Sequence, residues 1–215
     1  MYDIVFFDLD GTLTESAPGI TNSVAHALAK WNIEVSDLSQ LNCFVGPPLK
    51  DSFKKYYNFS EEDAIKAVAE FRAYYGVKGL FENAVYDGIR ELLEKIKASG
   101  RKVMLATSKP EGLSVRILDH FDLMKYFDEL AGATMDETRT TKAEVIEYLL
   151  GKLPENERDT SKIVMVGDRE HDVKGSKVFG IDCIGVLYGY GDRAELENAG
   201  AKYIARTPLD VFDFL

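Results

Sequence analysis

From Asp87 onward the sequence alternates amphipathic helical stretches with short apolar runs, and this alternation most narrows what the chain can fold into. Residues 88–99 carry Ile89, Leu92, Leu93 and Ile96 on one helical face and stop at Gly100. The run 102–107 follows as a buried strand ending in Thr107. The rhythm continues with a helix near 112–120, an apolar stretch at 127–131, a helix over 142–150 and a strand over 163–166. A helix near 172–179, an apolar run at 181–187 and a short strand at 203–205 complete it. Strands separated by helical crossovers predict a parallel sheet with helices on both faces, joined by right-handed connections.

The run Ile4-Val5-Phe6-Phe7 reads as the first strand of that sheet, but the next core strand is almost a hundred residues away. Between them, residues 18–79 read as all helix. Ile20, Val24, Ala27 and Leu28 share one helical face, Pro48 can open a second helix through Phe53, Tyr56 and Tyr57, and Ser60 with Asp63 caps a third. The expected organisation is therefore an α/β core over residues 1–15 and 83–215, with an all-helical insert over 16–82. A length of 215 residues accommodates such a core and insert.

Charge limits the partners. The chain has 26 Lys and Arg against 36 Asp and Glu, a net charge of -10, which argues against a nucleic acid polymer as ligand. An anionic small molecule would need local cations or a bound metal ion to overcome that field. No apolar run approaches membrane-spanning length, and strand-like sequence begins at Tyr2 without a secretory leader, so the expected compartment is the cytoplasm. Cys43 and Cys183, far apart in sequence, read as reduced thiols.

Each strand that should open into one crevice ends in a polar group. The first ends in Asp8-Leu9-Asp10-Gly11-Thr12, the second in Thr107 and Ser108, and the 163–166 run in Gly167-Asp168, with Asp172 close behind. Lys142 opens the helix before that last strand. Taken singly, acidic turns, strand-end hydroxyls and a solvated lysine are ordinary. Together they supply the parts of phosphoryl transfer. Asp8 is the candidate nucleophile, and Asp168 and Asp172 with Asp8 and a backbone carbonyl can form an oxygen site suited to Mg²⁺. Asp10 can protonate the leaving oxygen and then activate water. Thr107 and nearby amides can bind phosphate oxygens, Lys142 can neutralise developing charge, and Gly11 lets the backbone turn close to the phosphate.

These residues resemble the haloacid dehalogenase superfamily, specifically its phosphatases with a helical cap. Asp8-Leu9-Asp10-Gly11-Thr12, Thr107, Lys142 and Gly167-Asp168-Arg169-Glu170-His171-Asp172 are similar to its four signatures, in order. The resemblance implies a three-layer Rossmann-like core, a four-helix cap, Mg²⁺ held by the Asp8 carboxylate, the Asp10 carbonyl and Asp168, and Asp172 acting directly or through water. Asp10 distinguishes the chain from dehalogenases, which lack that acid. Within the superfamily the chain is similar to the phosphoglycolate phosphatase and 5'-nucleotidase-like group, through 44–49, 107–110 and 185–191. It departs at Ala143, where many relatives have Pro, which makes Arg139 a neighbouring alternative to Lys142.

The family reading also makes Gly46-Pro47-Pro48 a substrate loop, while its other reading is a bend between helices. Lys50 and Lys54, one turn apart, face either an anionic substrate or solvent. Trp31, Tyr56, Tyr57, Tyr74 and Tyr75 read as helical core before base-stacking groups. His171 is not counted as a ligand because Mg²⁺ prefers oxygen. The expected activity is Mg²⁺-dependent hydrolysis of a small phosphorylated metabolite by a monomer or weak homodimer. The alternatives are a phosphomutase and a non-catalytic module that binds phosphate esters.

Overall fold

A computed structural model describes residues 1–136 and 138–215. It divides into two compact units, Met1–Thr14 with Val85–Leu215, and Glu15–Ala84.

Strand β1 (Ile4–Phe7) is fully buried and leads into a tight loop. In that loop the Leu9 carbonyl accepts from the amides of Leu13 and Thr14, and Gly11 N–H donates to Thr14 O at 2.8 Å. The chain then passes through β2 (Thr14–Glu15) into the helical unit.

That unit contains α1 (Ala17–Ala29), α2 (Leu49–Tyr57) and α3 (Glu61–Tyr75). Pro48 precedes α2, and the Ser60 hydroxyl caps α3 by accepting from Asp63 N, as the sequence predicts. The expected four-helix cap consists here of three α-helices and a 3-10 helix. Leu38–Phe44 is a 3-10 helix, and Gly79–Phe81 forms a second, shorter one. The cause is composition. Asn32 takes a left-handed conformation that interrupts a helix, and the Asp37 side chain accepts from Ser39 N, binding local backbone in competition with a regular helix. The aromatics pack on one another, Trp31 on Phe59 at 5.0 Å, Phe44 against Tyr56 and Tyr57, and Phe71 on Tyr75 at 5.2 Å between centroids. Of these, Phe44, Phe71 and Tyr75 are buried in the core of this unit, Trp31, Tyr57 and Phe59 are half-buried, and Tyr56 is exposed.

Strand β3 (Ala84–Val85) returns the chain to the first unit. There α4 (Ile89–Ala98), β4 (Lys102–Pro110), α5 (Glu111–His120), β5 (Glu129–Ala133) and α6 (Lys142–Lys152) follow. After them come β6 (Ile163–Gly167), α7 (Glu170–Lys177), β7 (Asp182–Val186), α8 (Arg193–Ala199) and β8 (Tyr203–Ala205). The main sheet has the order β5-β4-β1-β6-β7-β8, and all its pairings are parallel. This is the three-layer α/β architecture that the alternation predicts.

Residues alternate between the sheet's two faces. Ile4, Phe6, Met104, Ala106, Ile163 and Met165 join Val145, Ile146 and Leu149 of α6, Val173 of α7 and Leu196 of α8 in one buried cluster. Val5, Phe7, Val103, Leu105, Val164 and Val166 point the other way and are equally buried. Among the described residues no helix is long and apolar enough to cross a membrane.

Register brings the site together. Ile4 lies level with Lys102 and Ile163, and Phe7 with Leu105 and Val166, so the pairing of β4 and β6 with β1 stops at one level, although β4 itself runs on to Pro110. Asp8 and Asp168 follow the ends of β1 and β6, and Thr107 lies on β4 just beyond the stretch paired with β1. Position at the carboxyl ends of a parallel sheet is where open α/β folds bind ligands.

Candidate active site

Asp8 continues β1 and donates its backbone N–H to Val166 O at 3.0 Å. Its carboxylate meets Lys142, the first residue of α6, whose start is fixed by a capping box between Thr141 and Glu144. Lys142 is 5% exposed, and its ammonium donates to Ala106 O at 2.8 Å. The same nitrogen stands 2.8 Å from Asp8 Oδ1 and 2.8 Å from Asp172 Oδ1. The ammonium therefore bridges the Ala106 carbonyl and the two carboxylates.

Asp172 lies in the first turn of α7 and its Oδ2 accepts from Arg169 N at 3.1 Å. Asp168 is buried between these acids. Its Oδ2 accepts from Tyr190 N at 2.8 Å, while its Oδ1 is buried with no hydrogen-bond partner. The backbone closes tightly around it. A Cβ on Gly11, which also has φ +79°, or on Gly189 would collide with the Asp168 carboxylate, so only glycine permits this approach.

Two carboxylates therefore share the Lys142 ammonium and a third, Asp168, lies beside them, and this crowding shifts their proton affinities. Burial pushes Asp8 up to about 6, with Asp172 adding to the rise and Lys142 opposing it. Burial, then Asp172 and Asp8, hold Asp168 well above the usual carboxylate range. Burial opposes the Lys142 charge, but Asp172 and Asp8 more than offset it and hold the ammonium above its ordinary value. Oxygen atoms of Asp8, Asp168 and Asp172 lie within 4.8 Å of one another. An all-carboxylate donor set with an orphaned buried oxygen fits a hard divalent cation such as Mg²⁺.

The other proposed site residues are distributed as follows. Thr107 is buried at the end of β4's regular part, and its Oγ1 accepts from Lys109 N at 3.2 Å. Ser108 beside it is half-buried. Both Asp10 oxygens face the Lys109 ammonium, at 2.9 and 2.8 Å. Arg139 turns elsewhere, with Nε donating to Gly132 O, Nη2 to Glu111, and the guanidinium lying 3.8 Å over the Tyr148 ring. The ammonium at the carboxylates is thus Lys142. Gly46, with φ +101°, and Lys50 belong to the helical unit. There Lys50 and Lys54 both pair with Glu61, at 2.8 and 2.6 Å.

Sequence reasoning passed over Lys109 and the Gly189-Tyr190 backbone. A lysine after a strand-end hydroxyl carries no signal of burial. The glycine pattern at 185–191 was visible, but its partner Asp168 was not.

The model of the haloacid dehalogenase-like hydrolases matches residues 5–186. A 5'-nucleotidase of Pseudomonas aeruginosa is 43% identical over 195 residues, covering 91% of this chain and 87% of that protein. The tyrosine-protein kinase PtkA of Mycobacterium tuberculosis is 40% identical over 189 residues, 87% of this chain and 63% of the kinase. A crystal structure of a predicted phosphatase from Clostridium acetobutylicum superposes with a TM-score of 0.92 at 48% identity, covering 100% of this chain and 98% of that one. The chain belongs to the haloacid dehalogenase-like hydrolase family.

Proposed function

We propose that the chain is a Mg²⁺-dependent phosphomonoesterase that hydrolyses a small phosphorylated metabolite through a phosphoaspartate on Asp8. The observation that carries this is the Lys142 ammonium set 2.8 Å from both Asp8 and Asp172, beside an Asp168 oxygen left without a partner. Lys142 orients Asp8 and offsets charge on an incoming phosphate. Asp8, Asp168 and Asp172 are the residues that would hold Mg²⁺, with the Asp10 carbonyl as the implied fourth donor. Bound there, the ion supplies counter-charge to the carboxylates and polarises phosphoryl oxygens.

The chain's own groups then account for proton and phosphoryl movement. An Asp8 oxygen forms a bond to phosphorus as the ester P–O bond breaks, and Asp10 gives its proton to the departing alcohol oxygen. Water next attacks phosphorus and gives a proton to Asp10, which frees Asp8 and inorganic phosphate. Thr107 and neighbouring amides bind the non-reacting phosphate oxygens. Ser108 and Gly11 complete the proposed substrate contacts. The enzyme would act in the cytoplasm as a monomer or weak homodimer.

The 43% identical 5'-nucleotidase supports nucleoside 5'-monophosphates as the first substrate class to test, with phosphoglycolate second. Purified protein with Mg²⁺ is assayed against nucleoside monophosphates, phosphoglycolate, sugar phosphates and pyrophosphate, with Asp8→Asn as blank. Phosphate release by wild type alone is the expected result. Equal, negligible rates for both proteins across the panel would refute the proposal, and conversion of a sugar 1-phosphate to the 6-phosphate would replace it with a phosphomutase.

A further inference from the structure

Lys109 is bound to two proposed site residues at once. Its ammonium spans both Asp10 oxygens at 2.9 and 2.8 Å, and its backbone N–H donates to Thr107 Oγ1 at 3.2 Å. An exposed lysine pair contributes little, because two long side chains lose rotamer freedom to form it. This pair differs, since the side chains are 6% and 18% exposed. The geometry comes from an irregularity in β4. Ala106 pairs with Ala131 and Pro110 with Ala133, so four steps along β4 match two along β5, and the added residues redirect 107–109.

On the reading that the chain is a phosphomonoesterase with Asp10 as acid and base, we propose that Lys109 is the positioning residue that fixes the Asp10 carboxylate for proton transfer. It acts through Asp10 and makes no bond to the reacting atoms. The consequence depends on the leaving group. An alkoxide leaves only with a proton, so alkyl esters need a correctly placed Asp10. A nitrophenolate leaves unprotonated, so p-nitrophenyl phosphate does not. The ratio kcat/KM covers the steps through P–O cleavage and therefore reads this difference directly.

The test compares wild type, Lys109→Met and Lys109→Arg, with Mg²⁺, on p-nitrophenyl phosphate and on an alkyl phosphomonoester. For Lys109→Met, kcat/KM on the alkyl ester should fall on the order of 10–100-fold, the scale at which small misplacements slow catalysis. On the aryl ester it should fall less than about 5-fold, and Lys109→Arg should recover part of the alkyl rate. If Lys109→Met does not fold, Lys109→Arg still carries the comparison, because its displaced charge should lower the alkyl-to-aryl ratio. Equal losses on both esters, or no loss on either, would overturn the proposal while leaving the phosphatase reading intact. Failure of the wild type to turn over either ester would overturn both.

Discussion

Asp8→Asn should stabilise the metal-free protein while abolishing activity. Asparagine keeps the shape of the side chain and removes one of the two carboxylates packed on Lys142, beside the third acid Asp168. The magnitude follows from proton affinity. Asp8 rises from 3.8 to about 6 on folding. At about 1.4 kcal/mol per pH unit, that costs the ionised native state about 3 kcal/mol.

The sign is fixed by which form the fold prefers. A carboxyl with a raised value favours the native state when protonated, so its destabilising effect is absent below pH 3.8, grows between about 4 and 6 and is complete above. Asp8→Asn should therefore gain about 2–3 kcal/mol at pH 7.5, with the 13% residual exposure of the side chain reducing the figure, and about 1 kcal/mol at pH 4.5. Urea unfolding in excess chelator at both values measures it. Mg²⁺ should shrink the difference, because a ligand that binds native wild type stabilises it by mass action. A variant no more stable than wild type at pH 7.5 in chelator, or a gain that does not change with pH, would refute the charge-imbalance argument.

Other perturbations test neighbouring parts of the structure. Lys142→Met leaves two buried carboxylates without their counter-charge and should destabilise the metal-free protein by about 3–5 kcal/mol, read from the same urea curves. Gly189→Ala drives a Cβ into Gly11 O and the Asp168 side chain, and should cost about 1–3 kcal/mol by thermal unfolding and lower phosphate release. The Tyr2 hydroxyl donates to Asp182 Oδ2 at 2.6 Å and is pushed up to about 12, by burial first. A phenol held neutral contributes stability that is lost as pH rises from about 10 toward 12, so Tyr2→Phe should show a shallower decline over that interval.

Much of the sheet was legible because its strands are consecutive apolar runs and its helices have clear stops. Asp8, Thr107 and Asp168 could be grouped because a parallel sheet puts strand ends on one side, even before the level register of β4, β1 and β6 was known. Lys109 was not legible. Its burial depends on a pairing irregularity between β4 and β5, and no local pattern encodes a register shift between strands distant in sequence. The 3-10 helix at Leu38–Phe44 was missed for a different reason. Leu38, Leu41 and Phe44 have the three-residue spacing that suits either an α- or a 3-10 helix, so spacing alone does not separate the two.

Placing an unpaired acid in the core is unfavourable unless something else uses it. The backbone around Asp168 leaves no room for a side chain to neutralise it, since a Cβ at Gly11 or Gly189 would collide with the carboxylate. Its surplus charge is therefore not relieved from within that ring of glycines. A chain selected for stability alone would be better served by asparagine at Asp8 or Asp168, and such a mismatch between local energetics and residue type marks functional sites. The deficit near the carboxylates points to a divalent cation, and Lys142 supplies a fixed positive charge for an anionic phosphate. The feature that weakens the empty fold is thus the one that equips it for phosphoryl transfer.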